Sequence, residues 1–237
     1  ERLMGPQLIL GLAGSYASTD IDGADNSGGG ESDLYSAAVY VNWFTDTWYV
    51  DGGLTYGQAD NDVDRIDFKG DKYRGNNDSD LFGTWVEVGY TTAHGDFGLE
   101  PYARFSYVYG EHDGYTDEGA DDLVMTTDDY ETDNFKTELG ARMNREWTYE
   151  DNSSFLVEVK AAWQHEWADR GVSVNSSYLG DDNLQLDSAY ADRDALVLGV
   201  RVEWSCGEGL SLGVEYEPTI SGNWYNHAFS GTIQYNW

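Results

Sequence analysis

Residues 229–237 read Phe-Ser-Gly-Thr-Ile-Gln-Tyr-Asn-Trp, and the residue types alternate. In an extended chain successive side chains point to opposite sides. Phe229, Ile233, Tyr235 and Trp237 therefore share one face, and Ser230, Thr232, Gln234 and Asn236 share the other. The pattern recurs upstream. In 97–109, Leu99, Pro101, Ala103, Phe105 and Tyr107 oppose Glu100, Tyr102, Arg104 and Ser106. In 156–167, Val157, Val159, Ala161 and Trp163 oppose Glu158, Lys160, Ala162, Gln164 and Glu166. In 196–204, Leu196, Leu198, Val200, Val202 and Trp204 oppose Val197, Gly199, Arg201 and Glu203.

Extended over the chain, this reading predicts an all-β protein with about ten strands, near 7–17, 33–44, 47–58, 81–92, 97–110, 130–148, 153–167, 190–205, 209–218 and 225–237. Most are longer than the five or six residues usual in soluble proteins and match the 9–11 or so of a membrane-crossing strand. Short connections are expected at 45–46, 93–96, 149–152 and 206–208, and long loops at 18–32, 59–80, 111–129 and 168–189. Short links at one end and long links at the other are the layout of a transmembrane antiparallel up-and-down β-barrel. There is no composition break, so residues 1–237 read as one domain.

Composition narrows the function. The 13 Lys+Arg against 44 Asp+Glu give a formal charge of −31, which opposes nucleic-acid binding, since that needs a cationic footprint on the phosphates. A single Cys excludes a disulfide framework. Aromatic residues make up 15% of the chain, too many for an acidic disordered segment.

The polar face carries charges in mid-strand: Asp51, Glu87, Glu100, Arg104, Lys136, Glu138, Arg142, Glu158, Lys160, Arg201, Glu203 and Glu215. In a membrane barrel these residues would line a water-filled lumen, where opposite charges can pair. Trp43, Trp48, Trp147, Trp163, Trp167, Trp204, Trp224 and Trp237 lie near strand ends, as expected for interfacial girdles. The terminal set Phe229, Ile233, Tyr235 and Trp237 resembles the signal by which the barrel assembly machinery recognises outer-membrane barrels.

Five segments in order resemble the C-terminal β-barrel transporter domain of autotransporters, the type V secretion proteins. They are NWFTDTWYVDGGLTYGQADNDVDR at 42–65, LEPYARFSYVYG at 99–110, VEVKAAWQHEWADRGVSVNSS at 157–177, DRDALVLGVRVEWSCGEGLSLGVEYE at 192–217, and the aromatic terminal strand. The resemblance implies an outer-membrane location and a mechanical role without catalysis or cofactor: anchoring an N-terminal passenger and helping it reach the cell surface. It also implies partners, namely outer-membrane lipid and lipopolysaccharide, the barrel assembly machinery, and the chain's own passenger segment held in the lumen. The family's barrel has twelve strands, so a first hairpin is expected upstream of Gln7. The alternative function is a stand-alone barrel acting as a cation-favouring porin or a surface adhesin.

Other chemistry reads weakly. Asp60, Asp62, Asp64 and Asp71 have the spacing of a calcium loop, but Arg65 stands where such a loop needs Gly. An acidic surface without a metal is the expectation. The acid–His neighbours Glu111–His112 and His165–Glu166 fall on opposite faces of a strand and form no catalytic pair. Cys206 lies in an expected short turn.

Overall fold

The computed structural model describes the chain except residues 1, 4–6, 24–26, 120–122, 169–170, 179–181, 189–190, 207–208 and 236–237. Ten long strands follow one another: β1 Leu8–Asp22, β2 Gly28–Phe44, β3 Trp48–Ile66, β4 Lys72–Tyr90, β5 Phe97–His112, β6 Tyr130–Thr148, β7 Ser154–Glu166, β8 Asp194–Cys206, β9 Leu210–Ser221 and β10 Tyr225–Tyr235. Each pairs antiparallel with its neighbours in sequence, so the sheet is a pure meander curled as a half-barrel. The short piece Arg2–Leu3 pairs with Ile9 and Leu10 on the free edge of β1.

Alternation assigns the two faces. Leu12, Val39, Leu54, Leu139, Val200 and Val214 are large apolar side chains exposed on the convex side. The buried apolar cluster is small, comprising Tyr102, Ala162 and Val197 on the concave side. A water-soluble sheet would invert this arrangement; an apolar exterior with a polar interior is stable where the exterior meets lipid.

The structure corrects two of the expected loops. Segments 18–32 and 59–80 are mostly strand, and the connections shrink to 23–27 and 67–71. At about 3.3 Å per residue, the 19 residues of β3 exceed what a tilted bilayer crossing needs. Above the bilayer the outward face meets water instead of lipid and turns polar, so apolar–polar alternation disappears while the hydrogen-bond ladder continues. Cross-strand partners there include Asp20 with Glu31, Glu31 with Asp62, and Asp60 with Asp78. Like charges directly opposite disfavour pairing, which is why this stretch resembles a loop in sequence. Asp60, Asp62 and Asp64 lie within β3 and form no calcium loop. Asp67 instead shapes the turn by accepting the backbone N–H groups of Lys69 and Asp71, both at 2.8 Å.

The other two expected loops also hold structure. Four short strands, Tyr115–Thr116, Met125–Thr127, Ser173–Tyr178 and Asp182–Asp187, form a second sheet in the order 182–187, 173–178, 125–127, 115–116. That order repeats the order of β8, β7, β6 and β5. Each short strand therefore continues one wall strand beyond a break.

Candidate functional site

The candidate site is the concave face. Near the short turns, at its inner end, Arg142 on β6 is the hub. One guanidinium nitrogen donates to Glu100 at 2.7 Å, to Glu87 at 2.8 Å and to the Tyr49 hydroxyl at 2.9 Å. The group also lies over the Tyr102 ring, 4.0 Å from its centre. Tyr49 donates to Glu87 at 2.8 Å. Arg104 approaches Glu87 at 3.8 Å and stacks on Trp85 at 4.8 Å. With 6% of its side chain exposed, Glu87 is nearly removed from water, and its charge is tolerable only because several donors converge on it.

A second knot adjoins the first. Lys160 bridges Glu138 at 3.1 Å and Glu217 at 2.8 Å, and Tyr102 donates to Glu138 at 2.5 Å. Arg201 pairs with Glu203 two residues along the same strand.

All twelve charges expected on the inner wall lie on the same parity of their strands. Eight join ion pairs: Glu87, Glu100, Arg104, Glu138, Arg142, Lys160, Arg201 and Glu203. The other four form none among the described residues. Asp51 is bonded by Asn42. Glu158 and Glu215 line the open space beside the network. Lys136 faces a separate cavity of about 360 Å3 in mid-trough, with Leu34, Leu81, Trp85 and Val108.

Sequence reasoning missed Tyr49, Tyr102 and Glu217. The available signal was parity, since Tyr49 lies two residues before Asp51 and Tyr102 lies between Glu100 and Arg104. Packing of this kind needs glycine opposite the ring. A Cβ on Gly89 would fall 2.2 Å from the Tyr49 ring, so only glycine allows the ring to lie flat there.

Toward the long-loop end, a hydrogen-bonded belt crosses five strands. Ser32 donates to Asn61 at 2.7 Å, Asn61 donates to the Ser79 hydroxyl at 2.8 Å, and Ser79 meets His112 Nδ1 at 2.7 Å. His112 Nε2 meets Thr132 at 3.1 Å, and the imidazole stacks on Tyr130 at 4.5 Å. Burial holds the His112 imidazole below its ordinary range. The belt has the parts of a Ser–His pair, but both imidazole nitrogens are occupied by hydroxyls, and no carboxylate among the described residues orients the ring. His165 bonds Asp194 at 2.8 Å on the convex rim among Trp163 and Trp167. Among the described residues, no cluster of three or more His, Cys, Asp or Glu is suited to a metal.

At the terminal strand, Phe229, Ile233 and Tyr235 point outward and are 77%, 78% and 60% exposed. Phe229 stacks on Tyr216 at 4.5 Å. Trp237, the last member of the expected assembly signal, lies outside the described residues.

Comparison with known proteins agrees with this geometry. The family model of the Autotransporter beta-domain matches residues 1–217. An uncharacterized protein, YaiT, of Salmonella typhimurium is 28% identical over 169 residues, covering 70% of this chain and 17% of its own length. The esterase EstA of Pseudomonas aeruginosa is 22% identical over 175 residues, covering 70% of this chain and 27% of its own. The chain thus spans about a sixth to a quarter of the length of the curated relatives it matches. Among solved structures, the translocator domain of autotransporter NalP from Neisseria meningitidis superposes with a TM-score of 0.81 at 15% identity, over 99% of this chain and 77% of that one. The beta domain of the Bordetella autotransporter BrkA superposes with a TM-score of 0.72 at 17% identity, over 97% and 84%.

Proposed function

The chain belongs to the autotransporter β-domain family and is an outer-membrane β-barrel, and from that premise we propose that it anchors and helps deliver an N-terminal passenger to the cell surface. The observation that carries this reading is the concave wall, a trough lined by two ion-pair knots, in a sheet whose convex face is apolar. Such a wall accepts a polypeptide without dehydrating its backbone into lipid. Glu158, Glu215 and Lys136, which form no ion pair among the described residues, are available to a segment lying in the trough. The role is mechanical: the wall binds and orients, and no residue acts as nucleophile or base.

Arg2–Leu3 occupies the first rungs on the free edge of β1, and a longer strand continuing there would satisfy backbone groups that a membrane leaves without partners. The barrel assembly machinery reads the outward aromatic residues of β10, and the apolar belt meets lipid and lipopolysaccharide.

The test uses the full-length protein in intact cells. Protease added outside should remove a passenger, and deletion of β10 should abolish that exposure. A mature protein with nothing upstream, combined with cation-selective conductance, would replace this reading with the porin or adhesin one.

A further inference from the structure

The outer ends of β5–β8 break and then continue as the second sheet. Three observations bring these continuations close to β3 across the trough. Arg65, at the outer end of β3, donates to Asp117 through Nε at 3.0 Å and Nη2 at 2.6 Å, and Nη2 also reaches the Leu123 carbonyl at 2.8 Å. The same guanidinium lies 4.3 Å from the Tyr73 ring centre and 5.8 Å from that of Tyr178, which belongs to the continuation of β7, four strands away along the wall. Along the wall itself, Arg74 and Glu118 exchange both backbone hydrogen bonds, at 2.9 and 2.7 Å, so the continuation of β5 stays laddered to the edge of β4. Finally, Val63 of β3 and Leu186 of the β8 continuation line one cavity of about 640 Å3.

The contact is built, not incidental. Tyr73 is 1% and Asp117 5% exposed. A Cβ on Gly75 would fall 2.3 Å from the Tyr115 ring, and one on Gly119 would fall 2.1 Å from the Tyr73 ring. Glycine at both positions lets the ring of the neighbouring strand lie close against the backbone. A carboxylate as buried as Asp117 is costly unless a cation stays with it, so Arg65 and Asp117 hold each other in place.

We propose that the continued strands form a hood over the outlet of the trough, and that Arg65 is the positioning residue that holds the hood against solutes from outside. This rests on the membrane-barrel architecture and does not depend on the passenger.

The test is labelling from outside. In the full-length protein with Cys206→Ser, Val63→Cys reports the space under the hood and Phe68→Cys, at an 88% exposed position, reports open solvent. Intact cells are treated with a bulky, membrane-impermeant maleimide. Val63→Cys should label at least tenfold more slowly than Phe68→Cys. Adding Arg65→Gln or Asp117→Asn should bring the two rates together, with Arg65→Lys between. Heat-modifiable migration on gels serves as the folding control. Equal rates at positions 63 and 68 with the latch intact would overturn the hood, and that arm needs no latch variant to fold. Slow labelling that persists in folded Arg65→Gln would overturn the role of Arg65. Passenger exposure is scored separately, so its loss is distinguishable from failure of the hood.

Discussion

Arg142 on β6 donates to the hydroxyl of Tyr49 on β3, 93 residues earlier, at 2.9 Å. Three strand spacings separate the two backbones, so the bond exists only because the sheet curls. The same guanidinium holds Glu87 and Glu100. Curvature and network therefore depend on one another.

Removing the hub strands a buried carboxylate. Arg142→Ala should destabilise the folded barrel by about 3–5 kcal/mol, the cost of leaving one partner of a buried pair. Glu87→Gln in the same background should recover part of the loss. Urea-dependent refolding into lipid vesicles measures both, and an unchanged midpoint for Arg142→Ala would remove the network from the stability account.

Gly89 and Gly83 lie on the same strand and face, and they should behave differently. Alanine at 89 meets the Tyr49 ring at 2.2 Å, whereas a Cβ at 83 has Thr55 at 3.7 Å and Val108 at 4.0 Å. Gly89→Ala should cost about 1–3 kcal/mol, as overpacking does. Gly83→Ala should stay within about 0.5 kcal/mol of the parent, as substitutions away from such constraints do. Similar losses at both sites would contradict the close approach of Tyr49.

Depth and face should separate two arginine substitutions. Leu198 is outward at mid-strand, and Ser106 is inward beside the mid-trough cavity. Leu198→Arg should cost about 2–4 kcal/mol, the value for a cation on the lipid face near mid-membrane. Ser106→Arg faces water and should insert normally. Equal insertion yields would mean that the faces are assigned the wrong way round.

The belt through His112 should make stability depend on pH. Burial lowers its folded pKa, against about 6.5 when unfolded. The unfolded chain then binds the proton more readily. The contribution is complete above about pH 6.5 and is lost as pH falls toward the lowered folded value. Below both values the slope vanishes. Protonation also makes both ring nitrogens donors, although Ser79 already accepts from Asn61. Unfolding midpoints of the parent and His112→Gln from pH 8 to 5 test this. The parent should weaken through the acid half and the variant should stay flatter, whereas parallel curves would exclude His112 as the source.

Sequence by itself determined the meander and the parity of every strand core. These follow from local alternation, because lipid on one side and water on the other write a period of two into the chain. It also carried the family resemblance across 42–217 and the outward set Phe229, Ile233 and Tyr235. It misplaced the ends of β1–β4, since strands whose outward face rises from lipid into water lose the apolar half of that period and Asp-rich ladders resemble loops. Only the tertiary structure decided which charges meet. Arg142 reaches β3, β4 and β5, Lys136 meets no carboxylate among the described residues, and Arg65 closes on Asp117 52 residues away. Such pairings depend on strand register and on curl, and both are properties of the whole sheet.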